Sequence, residues 1–298
     1  MNSNLRYGPA EQDAAEKLIT LALAEDLGSV GDLTSQTIIP ASEMAEVQIV
    51  ARTEGVLAGM PIAAAVFREM DEKVEWKPLL DDGSPLIAGS VVATVAGPLR
   101  TLLTGERTAL NFLTLLSGVA TMTRRFVDEL EGLDVEILDT RKTFPGYRQL
   151  QKYAVRAGGG TNHRMGLYDG ILIKDNHLAG WKEETGSTIA LAIQEARRES
   201  PLPVPVEVEV DTLDQLQDAL EAKPEYVLLD NMTLEQMRNA VTMRNDLSEG
   251  TKLEASGGVT LETVRGIAET GIDRISIGAL THSAPALDLA FDWAARLR

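Results

Sequence analysis

The sequence predicts an α/β protein in which an N-terminal α+β sandwich domain is followed by an incomplete α/β barrel. Two observations carry this prediction. The second half of the chain alternates apolar, strand-like runs with amphipathic helical stretches, whereas the first third contains strand-like segments punctuated by Gly and Pro. We expect the domains to cover residues 1–115 and 116–283, with a C-terminal helix over residues 284–298 that packs back on the first domain.

The N-terminal third begins with a helical pattern from about Glu11 to Glu25. Three strand-like segments follow, AEVQIVARTEG, VEWKPLL and SVVATVAG, and they predict an antiparallel sheet. A long helical pattern, RTLLTGERTALNFLTLLSGVATMTRRFVDEL, then joins the two domains, with a break expected near Ser117 and Gly118. Arg107 lies near the start of this pattern, beside Glu106, and from the spacing alone its simplest interpretation is a structural ion pair.

The second half contains apolar or β-branched runs that are typical of buried parallel strands. They are VEILDTR, GILIKDN, VPVEVEVD, YVLLDN, LEASGG and RISIGAL, at residues 135–141, 170–176, 204–211, 226–231, 253–258 and 274–280. Three of the helical stretches between them open at Thr followed by Leu, with an acid or Gln close behind, which is an N-cap pattern. This alternation is compatible with a barrel or with a doubly wound open sheet.

Polar groups and glycines at the strand ends favour the barrel. Nearly every run ends in a residue suited to chemistry: Arg141 and Lys142, Lys174, Glu209, Asp230, Ser256 and Gly278. A barrel gathers such ends into one ring at its C-terminal face, whereas an open sheet places its ligand at a single switch point. Only six strands are clear, so the sequence does not support a complete eight-fold barrel.

Composition narrows the class of function. The chain has 298 residues, of which 44% are hydrophobic and 24% charged, as expected of a globular protein. Its formal net charge of −17 argues against general nucleic-acid binding, which requires Lys and Arg to neutralise phosphates. The absence of cysteine excludes disulfides, thiolate metal sites and a catalytic thiol. With neither a signal-peptide pattern nor a membrane-length apolar run, we expect a cytoplasmic protein that binds no membrane.

The segment between Asp139 and His177 is basic within this acidic chain. Arg148, Lys152 and Arg156 recur every four residues, which predicts a solvated helix face. The remaining basic residues stand at strand ends or directly after three glycines, and we interpret them as a local anion site. They are Arg141, Lys142, His163, Arg164 and Lys174.

Acids and glycines complete the predicted ring. Glu207 and Glu209 share one strand face, and the position at the strand end favours Glu209 for the site. Glu209 with Asp230 suits Mg²⁺, which binds one or two carboxylates beside substrate phosphates. The ASGG and ISIGA segments at the last two strand ends are typical of a phosphate pocket. Together they indicate an enzyme that binds a phosphorylated sugar, a metal ion and a second, anionic substrate.

One long stretch, DTRKTFPGYRQLQKYAVRAGGGTNHRMGLYDGILIKDNH, resembles the signature of the quinolinate phosphoribosyltransferases. The similarity extends over nearly the whole chain, through GERTALNFLTLLSGVAT, VEVEVDTL, VLLDN, LEASGGV and ISIGALTHS. It implies a barrel of about seven strands and a homodimer that shares its active sites, with a higher oligomer left open. The implied substrates are quinolinate and phosphoribosyl pyrophosphate, with Mg²⁺ as cofactor, and the products are nicotinate mononucleotide, pyrophosphate and CO₂.

The resemblance also assigns roles to residues. It implies that Arg107 reaches into the partner's active site, and that Lys142, Lys174, Glu209 and Asp230 carry the catalysis. The substrate-binding set is Arg107, Thr140, Arg141, Lys142, His163, Arg164, Lys174, Glu209, Asp230, Ser256, Gly257, Gly258, Ser276, Ile277 and Gly278. The acids Glu209 and Asp230 would hold the ribose hydroxyls and the Mg²⁺-pyrophosphate. The three glycines, Gly158–Gly160, would let the backbone turn tightly and present His163 and Arg164 to a flat, doubly negative ring.

Three alternatives stay open at this point. Lys174 occupies the position of a Schiff-base lysine in barrel aldolases, which borohydride trapping would reveal. A paralogue of the same fold, such as the phosphoribosyltransferase-like protein associated with molybdenum transport, would use the pocket for another anion. A non-enzymatic binding protein is the third class, although a bare sensor has no need of metal-binding carboxylates beside a phosphate cradle.

Overall fold

The chain folds into two units, each with its own sheet, in a computed structural model that describes residues 5–185 and 188–297. One unit comprises the residues up to Arg124, together with Lys142–Gly160 and the chain from Ala279 onward. The other comprises Arg125–Arg141 and Thr161–Gly278. The return of the C-terminal segment to the first unit agrees with our expectation, whereas the inclusion of Lys142–Gly160 in that unit differs from the expected boundary at residues 115 and 116. No helix among the described residues has the length and apolar character to cross a membrane.

The described residues form helices and strands in the following order. The helices are α1 (Pro9–Leu27), α2 (Leu33–Ile38), α3 (Met60–Met70), α4 (Leu99–Glu129), α5 (Arg148–Ala157), α6 (Asp175–Thr185), α7 (Ile189–Glu199), α8 (Leu213–Glu221), α9 (Leu234–Leu247), α10 (Leu261–Ala268) and α11 (Ala279–His282). The strands are β1 (Met44–Ala51), β2 (Gly55–Val56), β3 (Glu75–Pro78), β4 (Pro85–Leu86), β5 (Val91–Pro98), β6 (Glu136–Leu138), β7 (Ile171–Ile173), β8 (Val206–Val210), β9 (Tyr226–Asp230), β10 (Lys252–Ser256), β11 (Arg274–Ser276) and β12 (Leu289–Leu297).

The first unit is built on an antiparallel sheet of four strands in the order β12-β1-β5-β3. Phe67 on α3 stacks on Trp76 of β3 and on Phe291 of β12, with ring centroids 6.0 and 5.9 Å apart, so this helix packs on the sheet. The strand β12 corrects our prediction, because we expected a helix over residues 284–298. Its residues pair with β1 along the whole of that strand, and this pairing overrides the helical preference of the Ala- and Leu-rich sequence.

The long helix α4 is unbroken, contrary to the interruption that we expected near Ser117 and Gly118. Both residues serve packing within the first unit. The Ser117 hydroxyl accepts a hydrogen bond from the backbone N–H of Ala58 at 3.0 Å. A side chain at Gly118 would stand 2.1 Å from the carbonyl oxygen of Pro285, so glycine is required for the close approach of that segment.

The second unit contains the six parallel strands that the sequence predicts. Their order is β6-β11-β10-β9-β8-β7, so neighbours follow the chain in sequence and the first strand pairs with the last. A doubly wound sheet would instead reverse its order at a switch point. The structure therefore confirms the barrel, which is left open between β6 and β7.

A single bridge occupies part of that opening. Thr161 forms a parallel bridge with Leu138 of β6, and its backbone N–H donates to the carbonyl of Ile137 at 2.8 Å. Thr161 thus stands where a further strand would lie next to β6. The barrel accordingly has six full strands in the described part of the chain and one residue at a seventh position.

Threonines cap the helices of the barrel as the sequence predicts. The Thr212 side chain accepts from the N–H of Gln215 at the start of α8, and Thr233 accepts from Gln236 at the start of α9. Thr260 and Thr263 form the corresponding capping box of α10. These caps fix where each helix begins and so where the preceding strand ends.

The basic residues of α5 differ from the solvated face that we predicted. The Lys152 side chain is fully buried, and Arg156 forms an ion pair at 2.7 Å with Glu11, a largely buried acid on α1. Helix α5 belongs to the first unit, in which it packs against α1. Spacing along a helix identified a shared side but not whether that side faces water.

Candidate active site

The carboxyl ends of the barrel strands bring most of the predicted residues to one rim. Because parallel strands all point the same way, their last residues meet at the same end of the barrel. The residues at or just after these ends are Thr140 and Arg141 (β6), Lys174 (β7), Glu209 (β8), Asp230 (β9), Ser256, Gly257 and Gly258 (β10), and Ser276, Ile277 and Gly278 (β11). All of them lie in the second unit.

Lys174 and Glu209 form an ion pair at this rim. Ile173 of β7 pairs with Val208 of β8, so the register brings the two following residues side by side. The Lys174 side chain is 43% exposed and that of Glu209 13% exposed. The ammonium group is thus fixed at the mouth of the barrel, where an anionic substrate can reach it.

Arg164 interacts electrostatically with Arg141. The pKa of Arg164 is lowered, first by burial and then by the positive charge of Arg141. The Arg164 side chain is held by a hydrogen bond from Nη1 to the carbonyl of Gly170 at 3.1 Å. Two arginine side chains that interact in this way have the chemistry to bind a multiply charged anion.

A buried aspartate that the sequence analysis did not select shapes the loop that carries Arg164. Asp139 is fully buried at the end of β6, and its carboxylate accepts from the Asn162 amide at 2.6 Å and from the backbone N–H of His163 at 3.0 Å. Asp169 closes the other half of the loop by accepting from the N–H groups of Met165 and Gly166. The order Asp–Thr–Arg and the later Tyr–Asp–Gly gave no local signal of these contacts.

The His163 ring points toward two buried glutamates. Its Nε2 lies 3.0 Å from Oε2 of Glu207 and 3.5 Å from Oε1 of Glu254, while its Nδ1 accepts the backbone N–H of Arg164 at 2.8 Å. Burial would lower the pKa of His163, but the hydrogen bonds and charges of the two glutamates raise it to about 9. Both ring nitrogens are therefore engaged by the protein itself.

The hydrogen on His163 Nε2 points toward Glu207, because Nδ1 accepts the backbone N–H of Arg164. Burial, followed by the charge of Glu254, raises the pKa of Glu207, and the hydrogen bond from His163 opposes this rise.

The negative charge of Glu254 is balanced by the positive charge of Arg274. The Arg274 Nε lies 3.0 Å from the Glu254 carboxylate, and its guanidinium stacks 4.1 Å from the Tyr226 ring centroid. Burial alone would raise the pKa of Glu254, but His163 and Arg274 together lower it. One ligand atom each from His163, Glu207 and Glu254 lies within 4.8 Å of the others, which is close enough for a metal ion. At this position, however, the Arg274 guanidinium already provides a positive charge next to Glu254.

The turn after β10 has the backbone geometry of an anion cradle. Gly257 and Gly258 have φ angles of +99° and +59°, and Asn231 at the end of the neighbouring β9 has a φ of +54°. A side chain at Gly257 would stand 2.1 Å from Oδ1 of Asn231, and the Asn231 N–H donates to Ser256 O at 2.9 Å. Glycine adopts such φ angles without strain, so Asn231 is the strained residue of the three, and strain of this kind is typical of a functional site.

Glu209 and Asp230 offer carboxylate oxygens on neighbouring strands. Glu209 pairs with Leu228 in the register of β8 and β9, so Asp230 lies two residues further along the same face. Both are partly accessible, and Asp230 accepts from the Asn231 amide at 2.8 Å. Hard, accessible carboxylates beside an anion cradle fit Mg²⁺, which takes few protein ligands and completes its shell with water and phosphate.

Two predicted residues belong to the first unit. Arg107 is exposed on α4, and Lys142 is exposed just before α5, where its carbonyl accepts from the Thr281 hydroxyl at 2.8 Å. Arg107 lies one helical turn beyond Leu103, which is also exposed. The exposure of Arg107 fits a role outside its own chain better than the structural ion pair suggested by its spacing.

The triple glycine packs against α4. A side chain at Gly158 would stand 2.4 Å from the carbonyl of Ala120, and Gly159 has a φ of +93° as the chain leaves α5. The tight turn is therefore present. The bare backbone, however, approaches a helix of its own unit, so close packing explains the glycines at this position.

Comparison with known proteins gives a consistent family. Residues 32–117 match the model of the quinolinate phosphoribosyl transferase N-terminal domain, and residues 119–292 that of its C-terminal domain. The chain is 44% identical over 277 residues to a probable nicotinate-nucleotide pyrophosphorylase (carboxylating) of Bacillus subtilis, covering 93% of this chain and 92% of that protein. It is 44% identical over 286 residues to the carboxylating nicotinate-nucleotide pyrophosphorylase of Mycobacterium leprae, covering 95% and 98%. The crystal structure of NadC from Streptococcus pyogenes superposes with a TM-score of 0.90 at 38% identity, covering 98% and 99%.

Proposed function

The chain belongs to the quinolinate phosphoribosyltransferase family, and from this we propose that it makes nicotinate mononucleotide in de novo NAD biosynthesis. The reaction transfers the phosphoribosyl group of phosphoribosyl pyrophosphate to quinolinate, with release of pyrophosphate and CO₂. The protein is thus a pentosyltransferase. The observation that carries this function is the set of cations that follow the carboxyl ends of the barrel strands: Arg141 after β6, Lys174 after β7, and Arg164, which interacts electrostatically with Arg141. Quinolinate is a flat dicarboxylate, and arginine binds a carboxylate through two parallel hydrogen bonds.

The chemistry follows from where the residues lie. The pyridine nitrogen attacks C1 of the ribose as the bond to pyrophosphate breaks, with inversion and oxocarbenium character at C1. Glu209 and Asp230 hold the ribose hydroxyls and stabilise this positive charge. Ser256 with its two following glycines, and the Ser276–Gly278 turn, bind the 5′-phosphate through backbone N–H groups. The quaternised nitrogen then stabilises the carbanion left when the adjacent carboxyl group departs as CO₂, and a proton from water is added at that carbon to give nicotinate mononucleotide.

Mg²⁺ is the cofactor that the carboxylate pair suits. Glu209 and Asp230 would hold it, and the bound ion would neutralise charge on the leaving pyrophosphate. Glu209 is paired with Lys174. If Glu209 held Mg²⁺, Lys174 would be available to an anionic oxygen of the substrate.

The decisive experiment incubates the purified protein with quinolinate, phosphoribosyl pyrophosphate and Mg²⁺ and follows pyrophosphate and CO₂ release. We expect equal release of both products with quinolinate and none with nicotinate as the parallel substrate. Arg164→Ala should raise the KM for quinolinate about tenfold or more, because a charged hydrogen bond is worth about 1.5–3 kcal/mol. Arg238→Ala, which removes an exposed arginine of α9, is the matched control. Pyrophosphate release without CO₂, or turnover with nicotinate instead, would reject the assigned substrate.

The surroundings of Lys174 speak against the Schiff-base alternative. A Schiff-base lysine is activated by burial in an apolar pocket or by a second cation. Lys174 is instead 43% exposed and paired with a carboxylate. Borohydride with a keto substrate should therefore leave no covalent adduct on Lys174.

We further propose a homodimer in which Arg107 completes the partner's active site. Exposed apolar side chains occur on helices of the first unit and on the loop between α1 and α2, namely Leu21 (65% exposed), Val30 (63%), Leu33 (64%), Ile38 (69%) and Leu103 (38%). An apolar surface of this kind favours association with another chain. Mixing inactive Arg107→Ala and Lys174→Ala proteins after subunit exchange should restore about one quarter of the wild-type activity, because some mixed dimers contain one intact site. Two-chain sites are excluded if the mixture stays inactive while the subunits demonstrably exchange.

The reaction is expected to take place in the cytoplasm. Disulfides are the usual reason for a chain to require an oxidising compartment, and this one has no cysteine. Fractionation of cells that express the protein would locate it directly.

A further inference from the structure

Beneath the rim lies a second layer of charged side chains, which we call the floor cluster: His163, Glu207, Glu254 and Arg274. Side chains two residues apart on a strand share a face. Glu207 therefore lies below Glu209, Glu254 below Ser256, and Arg274 below Ser276. The three strand residues are 4%, 0% and 7% exposed. The floor cluster thus supports the rim from inside the barrel.

His163 connects this layer to the substrate-binding loop. One edge of its ring faces the floor, with Nε2 3.0 Å from Glu207 and 3.5 Å from Glu254. The other edge accepts the backbone N–H of Arg164 at 2.8 Å. The position of the ring is therefore fixed from below, and the ring in turn fixes the backbone from which the Arg164 side chain starts.

We propose that Glu207 and Glu254 are positioning residues for the dicarboxylate substrate, acting through His163 on Arg164. The proposal rests on the proposed function for the identity of that substrate. It adds a second role to His163, which the family resemblance placed in contact with substrate: the ring also supports the backbone of Arg164.

The arrangement of charges explains why two acids can be buried there. An unpaired buried carboxylate destabilises a fold by several kcal/mol. Arg274 compensates Glu254, and the His163 ring supplies Glu207 with a hydrogen-bond partner. Removing Glu254 would leave Arg274 buried without a partner, so Glu207 is the better position for a test.

The first experiment measures quinolinate and phosphoribosyl pyrophosphate binding by calorimetry for Glu207→Ala and Glu207→Gln. The alanine removes the nearer of the two carboxylates that face His163 Nε2. We expect quinolinate to bind about tenfold more weakly, with phosphoribosyl pyrophosphate binding nearly unchanged. Glutamine keeps an acceptor oxygen and should restore most of the affinity. Glu11→Ala removes a similarly buried acid from the first unit and controls for a general loss of stability. An equal loss of affinity for both substrates in Glu207→Ala would overturn the proposal.

A double-mutant cycle tests whether Glu207 acts through His163. If it does, Glu207→Ala should add no further loss of quinolinate affinity to His163→Ala. Additive losses would show that Glu207 acts by another route. A metal bound stoichiometrically in the wild type and lost from Glu207→Ala would also contradict the proposal, because the cluster would then be a metal site.

A crystal structure of Glu207→Ala separates this proposal from the proposed function. We expect the Arg164 guanidinium to lose its contact with the Gly170 carbonyl, whereas Glu11→Ala should retain it. An unmoved Arg164 would refute the positioning role even if the wild type binds quinolinate. If the wild type binds no quinolinate but Arg164 is displaced in the variant, the assigned substrate is refuted and the positioning role is retained.

Discussion

Lys174 at the end of β7 and Glu209 at the end of β8 form an ion pair across neighbouring parallel strands. The pair joins a residue predicted to bind the anionic substrate to one predicted to hold the ribose and the metal. Each side chain neutralises the charge of the other. In the proposed mechanism, a substrate anion would bind Lys174 and Mg²⁺ would bind Glu209, so the two contacts of the pair would be replaced together.

Lys174→Ala should lower kcat/KM by about a hundredfold or more, because it removes a cation from the anion site and leaves Glu209 unneutralised there. Lys252→Ala is the matched control, since that exposed lysine lies at the opposite end of the barrel on β10. Steady-state kinetics with each substrate varied in turn provide the measurement. Equal activity in the two variants would remove Lys174 from the mechanism.

Removal of divalent cations should abolish turnover, and added Mg²⁺ should restore it. Asp230→Asn should raise the Mg²⁺ concentration needed for half-maximal activity about tenfold, since an amide oxygen is a weaker ligand than a carboxylate. A Mg²⁺ titration of the initial rate measures this directly. Full activity in excess chelator would contradict a metal at Glu209 and Asp230.

Gly118→Ala and Gly180→Ala form a matched pair of helical substitutions. We expect them to change the free energy of unfolding in opposite directions. A methyl group at Gly118 would collide with the Pro285 carbonyl at 2.1 Å, so we expect a loss of about 1–3 kcal/mol in the free energy of unfolding. Nothing lies within 4 Å of a methyl group at Gly180 in α6, where alanine should gain about 0.5–1 kcal/mol from its helix propensity. Chemical denaturation monitored by circular dichroism distinguishes the two. A tolerated Gly118→Ala would show that the segment around Pro285 can move away.

The ion pair between Glu11 and Arg156 should make stability depend on acidic pH. Burial alone would raise the pKa of Glu11, but the hydrogen bond from Arg156 and the bonds from backbone N–H groups lower it below 4.5. A carboxyl group whose pKa is lower in the folded state stabilises the fold above its unfolded pKa, and this contribution disappears as the pH falls through the folded value.

Glu11→Gln should therefore be less stable than the wild type by about 1 kcal/mol at neutral pH. The difference should shrink as the pH falls below about 4.5. Denaturation at several pH values gives the two curves, and Glu54→Gln, at an exposed position, is the control. Parallel curves for wild type and Glu11→Gln down to acidic pH would show that the pair does not stabilise the fold.

The amino-acid sequence by itself determined the strand and helix alternation, the helix caps and the rim of the barrel. These features are local, because a buried run, a Thr before a helix and a polar residue at a strand end are each read within a few positions. Lys174, Glu209, Asp230 and the glycines after Ser256 could be selected in this way without knowing which strands are neighbours.

Tertiary structure alone decided what depends on partners far away in the chain. Residues 289–297 form a strand only because β1, more than two hundred residues earlier, offers an edge for pairing. Lys152 is buried, although its spacing on α5 predicted a solvated face. The floor cluster draws His163, Glu207, Glu254 and Arg274 from four separate segments. The residue pattern within any one segment does not predict these contacts, because the packing of the barrel strands determines which side chains are buried and paired.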